Sequence, residues 1–313
     1  MNKMEDKDHE RRCPGHDAHL PGEEIKKGGR KMRMKAGNAI LWGGGIVAGG
    51  IVGTALVYVF AFRPPGVSSG SGVVLPVVWG AMGQQMVKAG VIDEAKFKAL
   101  YARSGGLPLD MVQMLDGSNN GQIKMTPQNA GIILNMLWAL GLGQNSAVLT
   151  AGPMVTNGQV KPGQFASTGG WTLAVGGAMD HYAKHDFLDL TPSQEQLVEN
   201  VAKNIYRPCC DNSAYFPDCN HGMAMLGLLE LMASQGATAD EMYRTALVVN
   251  SYWFPDAYLT IAEYLRDKGI AWSSAKPEDI LSASYSSARG YQQILSQTPP
   301  AQSNQSGGGG CST

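Results

Sequence analysis

The chain has almost no net charge, and it lacks the short motifs of nucleotide-binding enzymes. Its 25 basic and 26 acidic side chains leave a formal charge of −1 over 313 residues. Nucleic acid is bound through clustered positive charge, so this balance gives no reason to expect that partner. The sequence contains neither a G-x4-G-K-S/T loop nor a G-x-G-x-x-G turn, which leaves nucleotide binding without support and the question of enzymatic activity open.

Cysteine is also scarce, and its spacing excludes two familiar redox classes. The chain has five cysteines and contains neither C-x-x-C nor C-x-x-C-H. These motifs are typical of thioredoxin-like redox sites and of c-type haem attachment, so neither class has sequence support. Strand signals are few as well. Only Val73–Val78 and the Gly-rich 168–177 are candidates, and the second is interpreted as a loop because glycine weakens strands.

The N-terminal region predicts a membrane anchor. Residues 1–35 are polar and are predicted to be a disordered cytoplasmic tail, with six basic and no acidic side chains in 26–35. Residues 36–62 carry no charged side chain and are long enough to cross a bilayer, which takes roughly 20 residues. The run begins too late and is too long for a cleaved signal peptide. The positive-inside rule therefore predicts a single-pass protein of the plasma (inner) membrane, with its N-terminus cytoplasmic and its main domain extracytoplasmic.

Within the predicted span, Gly45, Gly49 and Gly53 recur every four residues. Small residues at this spacing form a smooth helix face that another helix can approach closely. The spacing makes self-association a hypothesis, while the simple frequency of glycine in membrane helices is the alternative. The sequence identifies no protein partner.

After a flexible linker over 63–76, the patterns are helical, and we predict an all-α domain over 77–296. Asp93, Thr191 and Thr238 stand at helix N-caps, the last two in capping boxes with Gln194 and Glu241. Thr126 with Pro127, and Pro255, are predicted to open two further helices. Residues 297–313 are rich in Pro, Gln, Ser and Gly and are predicted to be a disordered tail.

The densest chemistry lies in the stretch 206–233. Cys209, Cys210, Cys219 and His221 fall just before or at the start of a predicted helix, with Asp218 or Asn220 as its predicted cap. A helix N-terminus lowers the pKa of a thiol held there, and thiolate is both a metal ligand and a nucleophile.

The domain's other two histidines, His181 and His185, stand four residues apart. If their segment is helical, both imidazoles share one face, as the ligands of a helical metal site do. Every histidine of the predicted domain then falls within 181–221, which makes His181 and His185 candidate ligands beside the cysteines. Two solvated histidines are the alternative.

Three uses of the cysteines remain open. The first is binding of a thiophilic ion, Zn²⁺ or Cu(I), by Cys209, Cys210, Cys219 and His221, with His181 and His185 as further candidates. The second is thiol–disulfide oxidoreductase chemistry by the same cysteines. The third is an ordinary disulfide in a structural or partner-binding domain, which suits an extracytoplasmic location. The leading hypothesis is a membrane-anchored, metal-binding helical domain.

Overall fold

The computed structural model describes residues 72–156, 158 and 160–301. The first element of this part of the chain is a strand of a two-stranded antiparallel sheet. Strand β1, Val73–Gly80, pairs with β2, Asn120–Met125, and a register shift falls between Val74 and Val78. Alternate residues of β1 are buried, as a one-sided strand requires. The extended prediction for Val73–Val78 is confirmed, and β1 begins inside the segment predicted to be a linker. Strand β2 was not predicted, because its Asn, Gly and Lys residues are poor strand formers.

The rest of the described chain is helix-rich, as predicted for an all-α fold, with the small sheet as the addition. The α-helices are α1 Met82–Ala89, α2 Glu94–Ala102, α3 Leu109–Asp116, α4 Ala130–Gly143, α5 Ala147–Thr150, α6 Pro153–Thr156, α7 Ala166–Gly169, α8 Pro192–Ala202, α9 Asn220–Ser234, α10 Ala239–Trp253, α11 Pro255–Asp267, α12 Pro277–Leu281, α13 Ala283–Ser286 and α14 Ala288–Leu295. Short 3₁₀ turns occupy Pro162–Gln164, Ala178–Asp180 and Trp272–Ser274.

Helices α4 and α9 form the centre of the core, and nearly all of their residues are buried. They touch through glycine. A Cβ on Gly227 would lie 2.5 Å from the Leu137 carbonyl oxygen and 2.6 Å from the Gly141 backbone nitrogen. A Cβ on Gly141, near the end of α4, would likewise clash with the carbonyl oxygen of Met223, near the start of α9. The end of α4 and the first turns of α9 therefore pack backbone to backbone, and Cys219 lies immediately before these turns.

Several helix starts were predicted correctly, but the start of α4 was not. The capping boxes at Thr191 and Thr238 are present, and Asp93 caps α2 by accepting a hydrogen bond from the Lys96 backbone N–H. Helix α4, however, begins at Ala130 rather than after Thr126. Thr126 and Asn129 instead bond to each other in a turn, because β2 runs up to Met125 and the chain must reverse before the helix can start.

The predicted membrane span lies outside the described residues, as do the tail at 1–35 and the glycines at 45, 49 and 53. Within 72–156, 158 and 160–301, no helix combines the length and the apolar character that a bilayer crossing needs. At the other end, the chain is described to Ala301, whose backbone N–H donates to Thr260 Oγ1 at 3.0 Å. The remainder of the predicted C-terminal tail is also outside the described residues.

Candidate metal centre

The loop before α9 is held in place by the C-terminal helices. The Tyr206 backbone N–H donates to the Leu281 carbonyl at the end of α12, at 2.8 Å. Cys210 closes a tight turn on Arg207, and its carbonyl accepts from the Ala288 N–H at the start of α14, at 2.9 Å. Residues 207–210 are therefore anchored at both ends, and Cys209 lies in the turn between these anchors.

Three sulfur atoms meet where this turn faces the start of α9. Cys209 Sγ lies 3.8 Å from Cys210 Sγ and 3.7 Å from Cys219 Sγ, and the third side of the triangle, between Cys210 and Cys219, measures 3.8 Å. All three are free thiols, so the disulfide considered from the sequence is not present among them. The arrangement places three soft donor atoms around one point.

His221 adds a nitrogen to this triangle. Its Nδ1 lies 3.9 Å from Cys209 Sγ, and the ring is buried against Phe254 and Trp253, with centroid separations of 4.4 and 5.6 Å. Its Nε2 is buried and has no hydrogen-bond partner among the described residues. The aromatic neighbours fix the ring orientation, so Nδ1 is presented to the sulfurs.

Two overlapping sets of donor atoms in the described part of the chain are close enough to hold a metal ion. One consists of Cys209, Cys219 and His221, and the other of Cys210, Asp218 and Cys219, with all atoms of a set within 4.8 Å of one another. Cys219 belongs to both sets. The Cys/His group can therefore hold a metal ion, with Cys219 at its centre.

Cys219 itself is the N-cap of α9, which corrects the prediction of Asp218 or Asn220. Its Sγ accepts a hydrogen bond from the Gly222 backbone N–H at 3.4 Å. Asn220 Oδ1 accepts from the His221 N–H instead, and Asp218 is committed to an arginine. The first-turn amides and the helix dipole thus act directly on the sulfur, where they favour the thiolate.

The arginine is Arg207, which sequence reasoning missed. Its side chain is only 1% exposed, although a buried charge requires partners. Nε donates to Cys219 Sγ at 3.3 Å, one terminal nitrogen donates to the Asn212 carbonyl at 2.7 Å, and the other to Asp218 Oδ1 at 2.8 Å. The guanidinium lies in the space left by the missing side chain of Gly222, where a Cβ would be 2.6 Å from Arg207 Cζ.

The three thiols differ in their readiness to ionise. Hydrogen bonds from Cys209 and Cys210, assisted by the charge of Arg207, hold the pKa of Cys219 well below its usual value. The pKa of Cys209 is raised, first by its hydrogen bond with Cys210, then by its contact with Cys219 and by desolvation. Arg207 keeps its charge despite burial, because the Cys219 and Cys210 sulfurs and Asp218 raise its pKa. Among the three thiols, Cys219 is therefore the one that ionises most readily.

His181 and His185 form a separate pair. Their segment is a 3₁₀ turn followed by an irregular loop with Ala183 at φ 53°, rather than the helix on which the shared face was based. His181 Nδ1 lies 3.0 Å from His185 Nε2, and His181 Nε2 bonds to the Val175 carbonyl at 2.8 Å. Neither histidine belongs to the two donor sets that include the cysteines. The structure therefore does not bring them into the cysteine group.

A second buried charge-bearing group lies further along α9. Glu230 is fully buried, and neither carboxylate oxygen has a hydrogen-bond partner among the described residues. Burial raises the pKa of Glu230 well above its usual value, the nearby Ser146 hydroxyl lowers it by a smaller effect, and the charge of Glu195 raises it further. Burial therefore favours the neutral form of Glu230. Its position in an apolar helical run gave no sequence signal.

Comparison of the chain with protein-family models, with curated proteins and with solved structures found no match.

Proposed function

We propose that the chain binds one thiophilic metal ion through Cys209, Cys210, Cys219 and His221. The observation that carries the proposal is the triangle of unpaired sulfurs with sides of 3.7 to 3.8 Å. Sulfurs bound to one ion at roughly 2.3 Å and arranged tetrahedrally lie about 3.8 Å apart. Sulfur atoms in direct contact have a similar spacing, so the support for a metal comes from this spacing together with the imidazole nitrogen of His221, whose Nδ1 lies 3.9 Å from Cys209 Sγ.

Zn²⁺ fits this donor set better than Cu(I). Three thiolates and one imidazole are a common structural zinc set, and zinc takes four ligands in a tetrahedron. Cu(I) prefers soft sulfur donors and has less use for the imidazole that His221 presents. We therefore rank Zn²⁺ first and Cu(I) second.

The proposed setting is a membrane-anchored, extracytoplasmic domain that handles this ion. The support is sequence alone, namely the uncharged run at 36–62 behind the basic residues of 26–35. Two experiments test it: extraction of cell membranes with alkaline carbonate, and protease digestion of intact spheroplasts. Release of the full-length chain by carbonate, or protection of the helical domain in spheroplasts, would contradict this setting.

Metal content tests the site directly. The full-length chain, purified under reducing conditions, should contain about one equivalent of Zn²⁺ by elemental analysis, or take it up on titration. Cys219→Ala should lose this binding, because Cys219 belongs to both donor sets. Cys311→Ser, which changes the thiol nearest the C-terminus, is the matched control and should bind as the wild type does. Wild-type protein that takes up neither Zn²⁺ nor Cu(I) would rule out the proposal.

One observation favours a second candidate function, thiol–disulfide exchange. The stabilised Cys219 thiolate lies 3.7 Å from the sulfur of Cys209, which is the most exposed of the three cysteine residues. A thiolate beside an accessible thiol is the arrangement that reactive cysteine pairs use. Mass mapping after equilibration in glutathione buffers separates the two functions. A reversible Cys209–Cys219 disulfide in protein that binds no metal would support the redox function.

A further inference from the structure

The four ligands of the proposed site differ in how solvent reaches them. Cys209 is exposed, Cys210 and Cys219 are partly buried, and His221 is only 1% exposed. An ion held by these residues would be covered by His221 on the side of α9, and Cys209 would be its most exposed ligand. The inference drawn from this difference rests on the proposed metal site.

The ligands on the α9 side are fixed by the fold. Cys219 Sγ receives hydrogen bonds from the Gly222 N–H and from Arg207 Nε, and it caps the helix. The His221 ring is packed against Phe254 and Trp253. Partners of this kind orient metal ligands and strengthen their hold on the ion. Removing either ligand from the ion would break a helix cap or an aromatic contact.

Cys209 has no such support. Its sulfur contacts Cys210 Sγ, Cys219 Sγ and His221 Nδ1, which are themselves the other ligands, and the described residues provide it with no further hydrogen bond. It is also the exposed member of the set. Displacing Cys209 from the ion therefore costs less than displacing Cys219 or His221.

We propose that the ion enters and leaves the site by exchange of the Cys209 ligand for a thiolate of another molecule. The metal–sulfur bond to Cys209 breaks as a bond to the incoming sulfur forms. The proton lost by the incoming thiol passes to Cys209, and no electron moves. The partner class is a thiol-bearing metal donor or acceptor.

Charge explains why the incoming ligand should be a thiolate. Arg207 is buried beside the ligands and depends on negative charge around it. Replacing one thiolate by another keeps that charge constant. Replacing it by water or another neutral ligand would remove one negative charge next to a buried guanidinium, which is costly in a low-dielectric environment.

Chemical complementation with Co²⁺ as a coloured probe tests the proposal. Full-length Cys209→Ser, reduced and loaded with Co²⁺, should show weaker thiolate-to-cobalt absorption than the wild type. Added 2-mercaptoethanol should bring this absorption back to the wild-type intensity by occupying the vacated position. Cys219→Ser and Cys210→Ser should not recover, because their positions are partly buried; circular dichroism would check that each variant is folded.

A kinetic arm identifies the kind of thiol. Transfer of Zn²⁺ from the wild type to a chromophoric chelator should speed up in proportion to added glutathione, and S-methylglutathione should have no effect. A reduced, single-cysteine unfolded peptide takes the place of glutathione in a parallel series. Acceleration by the peptide would show that protein thiols reach the ion, and acceleration by glutathione alone would restrict the partner to small thiols.

Two outcomes would overturn the exchange proposal while leaving the metal site intact. In the first, added thiol restores the cobalt absorption of Cys210→Ser or Cys219→Ser as fully as that of Cys209→Ser. In the second, added thiol does not change the cobalt absorption of Cys209→Ser. Failure of the wild type to bind Co²⁺, Zn²⁺ or Cu(I) would overturn the metal site itself, together with the exchange. The wild-type measurement therefore separates the two failures.

Discussion

Substitution of Gly222 by alanine sets two physical effects against each other at the centre of the site. Gly222 lies in the first turn of α9, and alanine there is favourable to a helix by about 1 kcal/mol relative to glycine. The new Cβ, however, would lie 2.6 Å from Arg207 Cζ and 3.1 Å from Nε, and closer still to one terminal nitrogen. Helix propensity alone predicts stabilisation, whereas the packing of Arg207 predicts the opposite.

The packing effect should dominate. Ordinary contact between heavy atoms begins near roughly 3.5 Å, so the guanidinium would have to move by about 1 Å. An arginine head group on the surface could do this at little cost, but Arg207 is held by Cys219, Asp218 and Asn212. Its hydrogen bonds of 2.7 and 2.8 Å would be stretched or lost. Leaving a buried charge without its partners costs about 3–5 kcal/mol, so we expect a net destabilisation of roughly 2–4 kcal/mol.

Urea denaturation of the full-length protein, with chelator and reductant present, measures this difference as a shift in the free energy of unfolding. Gly121→Ala is the matched control, because a Cβ there meets nothing within 4 Å and should change stability by less than about 0.5 kcal/mol. A Gly222→Ala protein as stable as the wild type, or more stable, would refute the argument that Arg207 is fixed by its three partners.

Two further predictions concern groups outside the cysteine triangle. The folded-state pKa of Glu230 is raised above the ordinary value of 4.5. As the pH rises past 4.5, the carboxyl group therefore loses its proton in the unfolded chain before it does so in the folded chain. The free energy of unfolding of the wild type should then fall, by at most about 1.4 kcal/mol per pH unit. Glu230→Gln should flatten this decline in urea titrations at pH 5 to 8, and an unchanged slope would contradict the assignment of a buried neutral acid. His185→Ala should leave the metal stoichiometry of the purified protein unchanged, because His185 pairs with His181 rather than with the cysteines. Loss of the metal ion from this variant would instead indicate that the two histidines contribute to the metal site.

The features that depend only on residues close together in the sequence were the ones predicted correctly. The capping boxes at Thr191 and Thr238 need only residues three apart, and both were found. The clustering of Cys209, Cys210 and Cys219 was likewise visible, because two of the three are adjacent and all lie within one short loop. The helical face proposed for His181 and His185 failed, because a loop conformation with Ala183 at φ 53° took the place of the helix.

Arg207 could not be predicted, because its role depends on contacts that the fold creates. Nothing in the residues around it distinguishes a buried guanidinium from a solvated one. Its burial follows from the return of the chain against the first turn of α9, where Gly222 leaves room. The cap of α9 escaped prediction for a related reason. Asp218 is a better N-cap than cysteine, but it is committed to neutralising Arg207, and the sulfur of Cys219 takes its place.

The buried guanidinium also bears on the choice between metal binding and disulfide formation. A disulfide between Cys209 and Cys219 would remove the thiolate beside Arg207 and leave Asp218 as its nearby carboxylate. The loss would fall next to a buried cation and a helix N-terminus, both of which favour negative charge. Metal binding keeps the thiolates and avoids that loss. A disulfide formed at this site would therefore be easily reduced, because the positive charge of Arg207 and the helix N-terminus stabilise the reduced thiolate form. The same two positive charges favour thiolates held around a metal ion.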